Sequence, residues 1–182
     1  AFFANGDVNV DNAMRVGENP YAQPDHFARL IDGVLVNATA GSGVAFGDVG
    51  RGVACGDYDN DGDLDLLVTN NGGPIRLLRN LNDTGQSWLV VQTRTGTGGR
   101  AAIGARVSVT AEGRVYTRWI RPHQSYLCSS DPRAHFGLGT ASRVQRIEVR
   151  WPDGSSTVRT DVPVNQRVVF DARLTPAEGD PR

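Results

Sequence analysis

Residues 51–70 have the sequence RGVACGDYDNDGDLDLLVTN, in which five aspartates alternate with other residues. These aspartates are Asp57, Asp59, Asp61, Asp63 and Asp65. Side-chain oxygens of the first, second, third and fifth of them, with the backbone carbonyl of the fourth, can supply the hard oxygen ligands that Ca²⁺ takes. Gly62 permits a sharp bend between the ligands, and an apolar run follows at 66–68. The pattern therefore predicts a Ca²⁺-binding loop that leads into a β-strand.

An EF-hand and a plain acidic turn are the alternatives for this segment. An EF-hand requires a glutamate at the twelfth loop position and a helix on each side, but that position is Val68, within a β-like run. An acidic turn fits the content of Asp, Asn and Gly, since all three residue types favour turns. Without a cation, however, five neighbouring carboxylates would repel one another, which favours the metal site.

Residues 51–70 resemble an FG-GAP repeat, the integrin-α-type blade of a β-propeller. Farther along, three stretches resemble the ASPIC/UnbV domain of the cartilage acidic protein family. They are residues 103–109, 125–139 and 147–154. The resemblance implies an all-β fold, with a partial β-propeller (FG-GAP) segment followed by a β-sandwich-like ASPIC/UnbV domain. It also implies an extracellular or surface-exposed protein stabilised by Ca²⁺, and it does not imply an enzyme.

The two resemblances predict two domains and a tail. Residues 1–85 are the partial propeller segment with the calcium loop, residues 86–171 are the ASPIC/UnbV-like domain, and residues 172–182 are a loose tail. A closed propeller needs about four to eight blades. Because the first domain holds too little chain for that, its open sheet edges are expected to be covered or to pair with another chain.

Alternating apolar and polar residues predict β-strands along most of both domains, most clearly at 147–151. Glu112 and Gly113 mark a tight hairpin turn. Residues 24–30 lack strand character, and no amphipathic helix of ordinary length is predicted.

The charge is unevenly distributed, although the net charge is only −1. Residues 1–99 carry six arginines against twelve acidic residues, whereas residues 100–167 carry eleven arginines against five. Such halves can pack within one chain or against a second copy, and they disfavour generic binding of polyanions, including nucleic acids. No apolar run is long enough to span a bilayer. The chain starts at Ala1 without a signal-peptide pattern, so we expect a processed product or an excised piece of a secreted protein.

Cysteine, histidine and sequon residues leave several alternatives open. Cys55 and Cys128 could form a disulfide that ties the domains together, or both could be free thiols. The histidines lack zinc-ligand spacing, and His135 is predicted to be a structural strand residue. Asn37 and Asn82 each begin an N-glycosylation sequon.

Neither catalysis nor sugar stacking is predicted from the remaining motifs. The serines at 125–130 lie near histidines in sequence, but no Gly-x-Ser-x-Gly elbow is present, so no catalytic residue is assigned. The tryptophans fall at strand-like positions and are predicted to be core residues. They are Trp88, Trp119 and Trp151.

The leading functional interpretation is a Ca²⁺-stabilised extracellular structural or adhesion module without enzymatic activity. One alternative is a self-assembling, filament-forming subunit, in which an exposed edge at residues 1–10 pairs with the next copy by strand addition. A second alternative is a carbohydrate-binding domain. The expected partners are other copies of the chain, missing propeller blades of a longer parent protein, glycans or matrix proteins, with no nucleic acid and no membrane span.

Overall fold

The computed structural model describes residues 1–7, 21–81, 84–95, 98–125 and 127–172. The chain divides into two units that each take in more than one segment. Unit one is Ala1–Tyr58, Leu64–Asn80 and His123–Ser130, and unit two is Asp59–Asp63, Leu81–Pro122 and Asp131–Arg182. Compared with the predicted domains 1–85 and 86–171, unit one also includes residues 123–130, and unit two also includes residues 59–63 and 81–85. The tail residues 173–182 and the sequon residue Asn82 lie outside the described residues.

The described residues of unit one form three small antiparallel sheets. The first sheet has the order β1-β3-β4, with β1 at Phe2–Phe3, β3 at His26–Ile31 and β4 at Val34–Asn37. In the second, β2 (Gln23–Pro24) pairs with β5 (Gly47–Asp48). The third has the order β6-β7-β8, with β6 at Gly50–Gly56, β7 at Asp65–Asn70 and β8 at Arg76–Leu78.

Residues 24–30 are a strand region, so the prediction that they lack strand structure is wrong. Most of them lie in β3, which pairs with β1 on one side and with β4 on the other. Pairing on both sides satisfies the backbone hydrogen bonds of this strand without requiring an alternating side-chain pattern. The strand therefore forms although its sequence carries no clear β signal.

The first strand is paired along one side within its own chain. Phe2 lies opposite Phe27, and the carbonyl of Asn5 accepts a hydrogen bond from the amide of Gly50 at 2.7 Å. Residues 8–10 of the predicted edge lie outside the described residues. Both β1 and β4 are outer strands of this sheet, so among the described residues each leaves one edge of the sheet open.

The described residues of unit two form two four-stranded sheets. One has the order β12-β11-β14-β15, formed by Arg114–Trp119, Arg106–Ala111, Arg143–Arg150 and Ser156–Pro163 respectively. The other has the order β10-β9-β13, formed by Arg100–Ala101, Ser87–Thr95 and Ala134–Gly139, with β16 (Gln166–Asp171) parallel to β9.

The core of unit two lies between these sheets. Val107 and Ile147 of the first sheet are fully buried in the same cluster as Leu89, Phe136 and Phe170 of the second. One apolar face of each sheet thus packs against the other, which is the arrangement of a β-sandwich. The all-β prediction is confirmed, and no α-helix lies among the described residues. The described residues therefore contain no helix that is long and apolar enough to cross a membrane.

Two predictions about local structure in this sandwich have different outcomes. Glu112 and Gly113 both have positive φ, 48° and 72°, as a two-residue hairpin turn between β11 and β12 requires. Trp151 is buried and its indole N–H donates to the hydroxyl of Thr157 at 2.8 Å, as expected for a core residue. Trp119 is 57% exposed, so its assignment to the core is wrong. It belongs to the outer face of the sheet, because it pairs with Arg106.

Candidate metal centre

The acidic loop connects β6 to β7, and its two ends are held together at the base. Gly56 and Asp65 are paired across the two strands. The buried carboxylate of Asp65 accepts hydrogen bonds from the amides of Tyr58 at 3.2 Å and Asn80 at 2.8 Å. These bonds close the loop, so that the intervening residues must turn within a short span.

Three of the five predicted ligands come together in this loop. Asp57, Asp59 and Asp61 each offer one carboxylate oxygen, and these oxygens all lie within 4.8 Å of one another. Asp57 is only 3% exposed, Asp59 is half-buried and Asp61 is exposed. One carboxylate oxygen of Asp57 and both of Asp59 are shielded from solvent. Burying carboxylate oxygens is costly unless a cation or a donor compensates them, so the cluster could hold a metal ion.

The other two predicted ligands lie outside this cluster of three. The amide of Asp63 donates to the carboxylate of Asp61 at 3.0 Å, which bends the backbone back over the loop. Asp65 uses its oxygens for the amides at the base of the loop, yet a carboxylate oxygen that accepts one hydrogen bond keeps a second lone pair. Asn60 and Gly62 have positive φ, 61° and 99°, so the loop reverses at two left-handed residues.

The tip of the loop is held by side chains from β9 and the region of β13, and no local sequence pattern links these residues to the loop. Gly62 is buried so closely that a Cβ atom there would lie 2.1 Å from Nε1 of Trp88. His135 lies in β13 as predicted, and its Nε2 is 2.6 Å from the carbonyl oxygen of Gly62. Because a carbonyl only accepts, the ring nitrogen donates this bond. The guanidinium of Arg133 donates to the side-chain oxygen of Asn60 at 2.8 Å.

These contacts make Trp88, Arg133 and His135 positioning residues for the acidic loop. Each of them belongs to unit two, as do the loop residues Asp59–Asp63 that they touch. Of these three residues, His135 was predicted from the sequence only as a strand residue, and it lies 73 residues after its partner Gly62. That separation explains why the sequence could not indicate its partner.

Both cysteines are free thiols, so the disulfide between Cys55 and Cys128 is not formed. The sulfur of Cys55 lies 3.6 Å from the hydroxyl of Ser130, and its amide donates to that hydroxyl at 3.1 Å. Ser130 is therefore engaged with the backbone beside the loop. The sulfur of Cys128 packs against Gly52, where an added Cβ atom would lie 2.9 Å from it.

The sequon that begins at Asn37 is on the surface, at the end of β4. Its carboxamide oxygen accepts hydrogen bonds from the amide and the hydroxyl of Thr39 at 2.9 and 2.7 Å. These contacts place the two polar residues of the sequon side by side.

Comparison with known proteins identifies the two parts of the chain. Residues 49–90 match the model of the FG-GAP repeat, and residues 95–176 match the model described as ASPIC and UnbV. The chain carries an FG-GAP repeat followed by an ASPIC/UnbV domain. The acidic loop lies within the FG-GAP repeat, whereas Arg133 and His135 lie within the ASPIC/UnbV domain.

The chain is also similar to parts of longer proteins. Cartilage acidic protein 1 of Mus musculus is 34% identical over 114 residues, which is 61% of this chain and 18% of that protein. Cartilage acidic protein 1 of Homo sapiens is 34% identical over 113 residues, which is 60% of this chain and 17% of that protein. The FG-GAP and ASPIC/UnbV chain thus spans less than a fifth of the length of the curated relatives it matches.

Proposed function

We propose that the acidic loop binds Ca²⁺ and that the chain is a calcium-stabilised extracellular structural or adhesion module without enzymatic activity. The observation that carries the proposal is the cluster of Asp57, Asp59 and Asp61, whose oxygens lie within 4.8 Å of one another. The carbonyl of Asp63 and a remaining lone pair of Asp65 would complete the set of ligands. All of these donors are hard oxygens, the type that Ca²⁺ prefers.

The role of the ion in this proposal is structural. Three carboxylates held together in one loop repel one another, and a divalent cation neutralises them. Because the unfolded chain does not hold these residues together, the free energy of binding becomes free energy of folding. Trp88 and His135 keep Gly62 at the bend, so the ligands on either side of it are positioned before the ion arrives.

The extracellular placement draws on the relatives. The proteins that match this chain at 34% identity are named for cartilage, a tissue built largely of extracellular matrix. Weak calcium sites also suit that setting, where the calcium concentration is in the millimolar range that extracellular modules bind.

Isothermal titration calorimetry tests the metal site directly. The full chain, freed of metal with a chelator and dialysed, is titrated with CaCl₂ and separately with MgCl₂. We expect Ca²⁺ to bind with a Kd of about 10⁻⁴–10⁻³ M and Mg²⁺ to bind more weakly, because Mg²⁺ demands a tighter octahedral geometry. The absence of Ca²⁺ binding at millimolar concentrations would contradict the proposal.

A second candidate function, self-assembly with other copies of the chain, is favoured by the hairpin of β3 and β4. This hairpin exposes five large apolar side chains, and β4 is an outer strand. They are Leu30, Ile31, Val34, Leu35 and Val36. An apolar outer strand without proline or charged residues is open to strand addition. A second copy that pairs along β4 would cover this surface.

Sedimentation velocity over a range of protein concentrations tests this candidate. We expect the wild-type chain to associate in calcium, and we expect Val36→Lys to weaken association, since a lysine on an edge strand opposes pairing. Ile75→Lys serves as the control, because Ile75 is an exposed apolar residue, at 68% against 43% for Val36, but lies outside the hairpin. A wild-type chain that remains monomeric at all concentrations would refute self-assembly.

A further inference from the structure

The outer face of the sheet β12-β11-β14-β15 presents an exposed tryptophan in register with two arginines. Trp119 lies opposite Arg106, and Arg106 lies opposite Arg150 on the next strand. The adjacent pair Val107 and Val149 is fully buried in the core. Since side chains alternate along a strand, the tryptophan and the two arginines share the opposite, solvent side of the sheet. Neighbouring strands are about 4.8 Å apart, so the three side chains form one compact row.

The two arginines of this row stand out from the others on the same face. Within the described ranges, neither Arg106 nor Arg150 makes an ion pair or a hydrogen bond through its side chain. Arg146, on the same face, is instead paired with Glu148 at 3.0 Å. Like charges directly opposite each other destabilise an antiparallel pair. A bound anion between Arg106 and Arg150 would remove this repulsion.

The tryptophan supplies a second, independent feature of a binding surface. Trp119 is the most exposed tryptophan of the chain, whereas Trp151 is buried and Trp88 packs against Gly62. The next row of the same face carries the hydroxyls of Ser108 and Thr117, 3.4 Å apart. The face thus combines an aromatic ring, paired hydroxyls and two guanidinium groups on a rigid sheet.

We propose that this face binds a sulfated polysaccharide. A sugar ring lies against Trp119, and a sulfate lies between Arg106 and Arg150, whose planar guanidinium groups suit an oxyanion. The apolar face of an exposed tryptophan can pack against the C–H groups of a sugar ring, and its indole N–H can donate a hydrogen bond to a sugar hydroxyl. A nucleic acid fits less well, because its binding draws on about six to ten neutralised phosphates and this face offers two unpaired arginines. The choice of a polysaccharide, but not the site, rests on the extracellular placement proposed above.

Calorimetric titration of the calcium-loaded full chain with a heparin octasaccharide tests the proposal at physiological salt. The variants are Trp119→Ala and Arg150→Gln. The control is Arg114→Gln, which removes the same charge from an exposed residue on the other side of the sheet, opposite the buried Ala111. We expect each of the two site variants to raise the Kd about tenfold, because Arg150→Gln loses a hydrogen bond to a charged group and Trp119→Ala loses the apolar contact of the ring with the sugar. Arg114→Gln should change the Kd less than twofold.

Three outcomes would overturn the proposal. They are a lack of heparin binding by the wild type, an equal loss in Arg114→Gln, and equally tight binding of a single-stranded DNA oligonucleotide through Trp119 and Arg150. Thermal unfolding of each variant in calcium verifies that it is folded. Titration with CaCl₂ in parallel separates this site from the acidic loop, because Trp119→Ala should lose heparin binding and keep its calcium affinity. Heparin binding without calcium binding in the wild type would refute the calcium proposal alone.

Discussion

Replacing Asp59 by asparagine should change the stability of the chain in opposite directions with and without calcium. The substitution keeps the shape of the side chain and removes one negative charge from the cluster of Asp57, Asp59 and Asp61. In a chelator, the variant should melt at the same temperature as the wild type or higher, because one repelling carboxylate is gone. In calcium, it should melt lower, because a charged ligand is missing.

The size of both effects follows from the geometry of the loop. Two ionised carboxylates with oxygens 4.8 Å apart, the largest separation within the cluster, repel by about 3.5 kcal/mol at an effective dielectric constant of 20. For a Kd of about 10⁻⁴–10⁻³ M, 10 mM calcium stabilises the folded wild type by about 1.4–2.7 kcal/mol. This corresponds to a rise of about 3–10 °C in the melting temperature of a chain of this size. A tenfold loss of affinity in Asp59→Asn would remove about 1 kcal/mol of that stabilisation.

Differential scanning calorimetry in 10 mM CaCl₂ and in EGTA measures these shifts. Asp161→Asn is the matched control, since Asp161 is a highly exposed residue in an ion pair with Arg143, away from the loop in sequence. It should show the full calcium-induced shift of the wild type. Equal calcium-induced shifts in Asp59→Asn and Asp161→Asn, or no shift in the wild type, would show that the loop is only an acidic turn.

Three further measurements check other parts of the structure. In urea unfolding, Gly62→Ala should lower the free energy of unfolding by about 1–3 kcal/mol more than Gly154→Ala. Both glycines have positive φ, but only at Gly62 would the new Cβ overlap the ring of Trp88. Equal losses of stability in the two variants would contradict this packing. Burial raises the pKa of Asp25, so its ionisation opposes folding as the pH rises through the folded-state pKa. Asp25→Asn should therefore raise the melting temperature near pH 7, and this gain should vanish below about pH 4. A gain that is independent of pH would argue against this explanation. Thiol titration in denaturant without reductant should count two thiols per chain, whereas none would indicate a disulfide.

The strands and the acidic loop could be predicted from the sequence where they are formed by interactions between residues that are close together in the chain. The predicted hairpin turn at Glu112 and Gly113 is present because two successive residues tolerate positive φ. The closed base of the loop follows from a short acidic stretch that connects two paired strands. By contrast, β3 was missed, because its stability comes from two partner strands and not from its own alternation.

The two tryptophans Trp119 and Trp151 show where the sequence pattern stops being informative. Both stand at alternating strand positions, and alternation separates two faces of a sheet without stating which face meets the core. Trp151 continues the inward positions of Val149, whereas Trp119 is paired with Arg106 on the outer side. Only the packing of the second sheet against the first made one of them buried and the other exposed.

The amino-acid sequence by itself determined the all-β class, the order of the two domain types and the aspartates available to a metal, because ligand spacing and side-chain period act over a few residues. The tertiary structure decided which aspartates cluster, that the cysteines remain free, and that Trp88 and His135 support the bend at Gly62. His135 and Gly62 are 73 residues apart, so their contact exists only after the strands have paired. Contacts of that range depend on how all the sheets are assembled, and no local pattern in the chain encodes them.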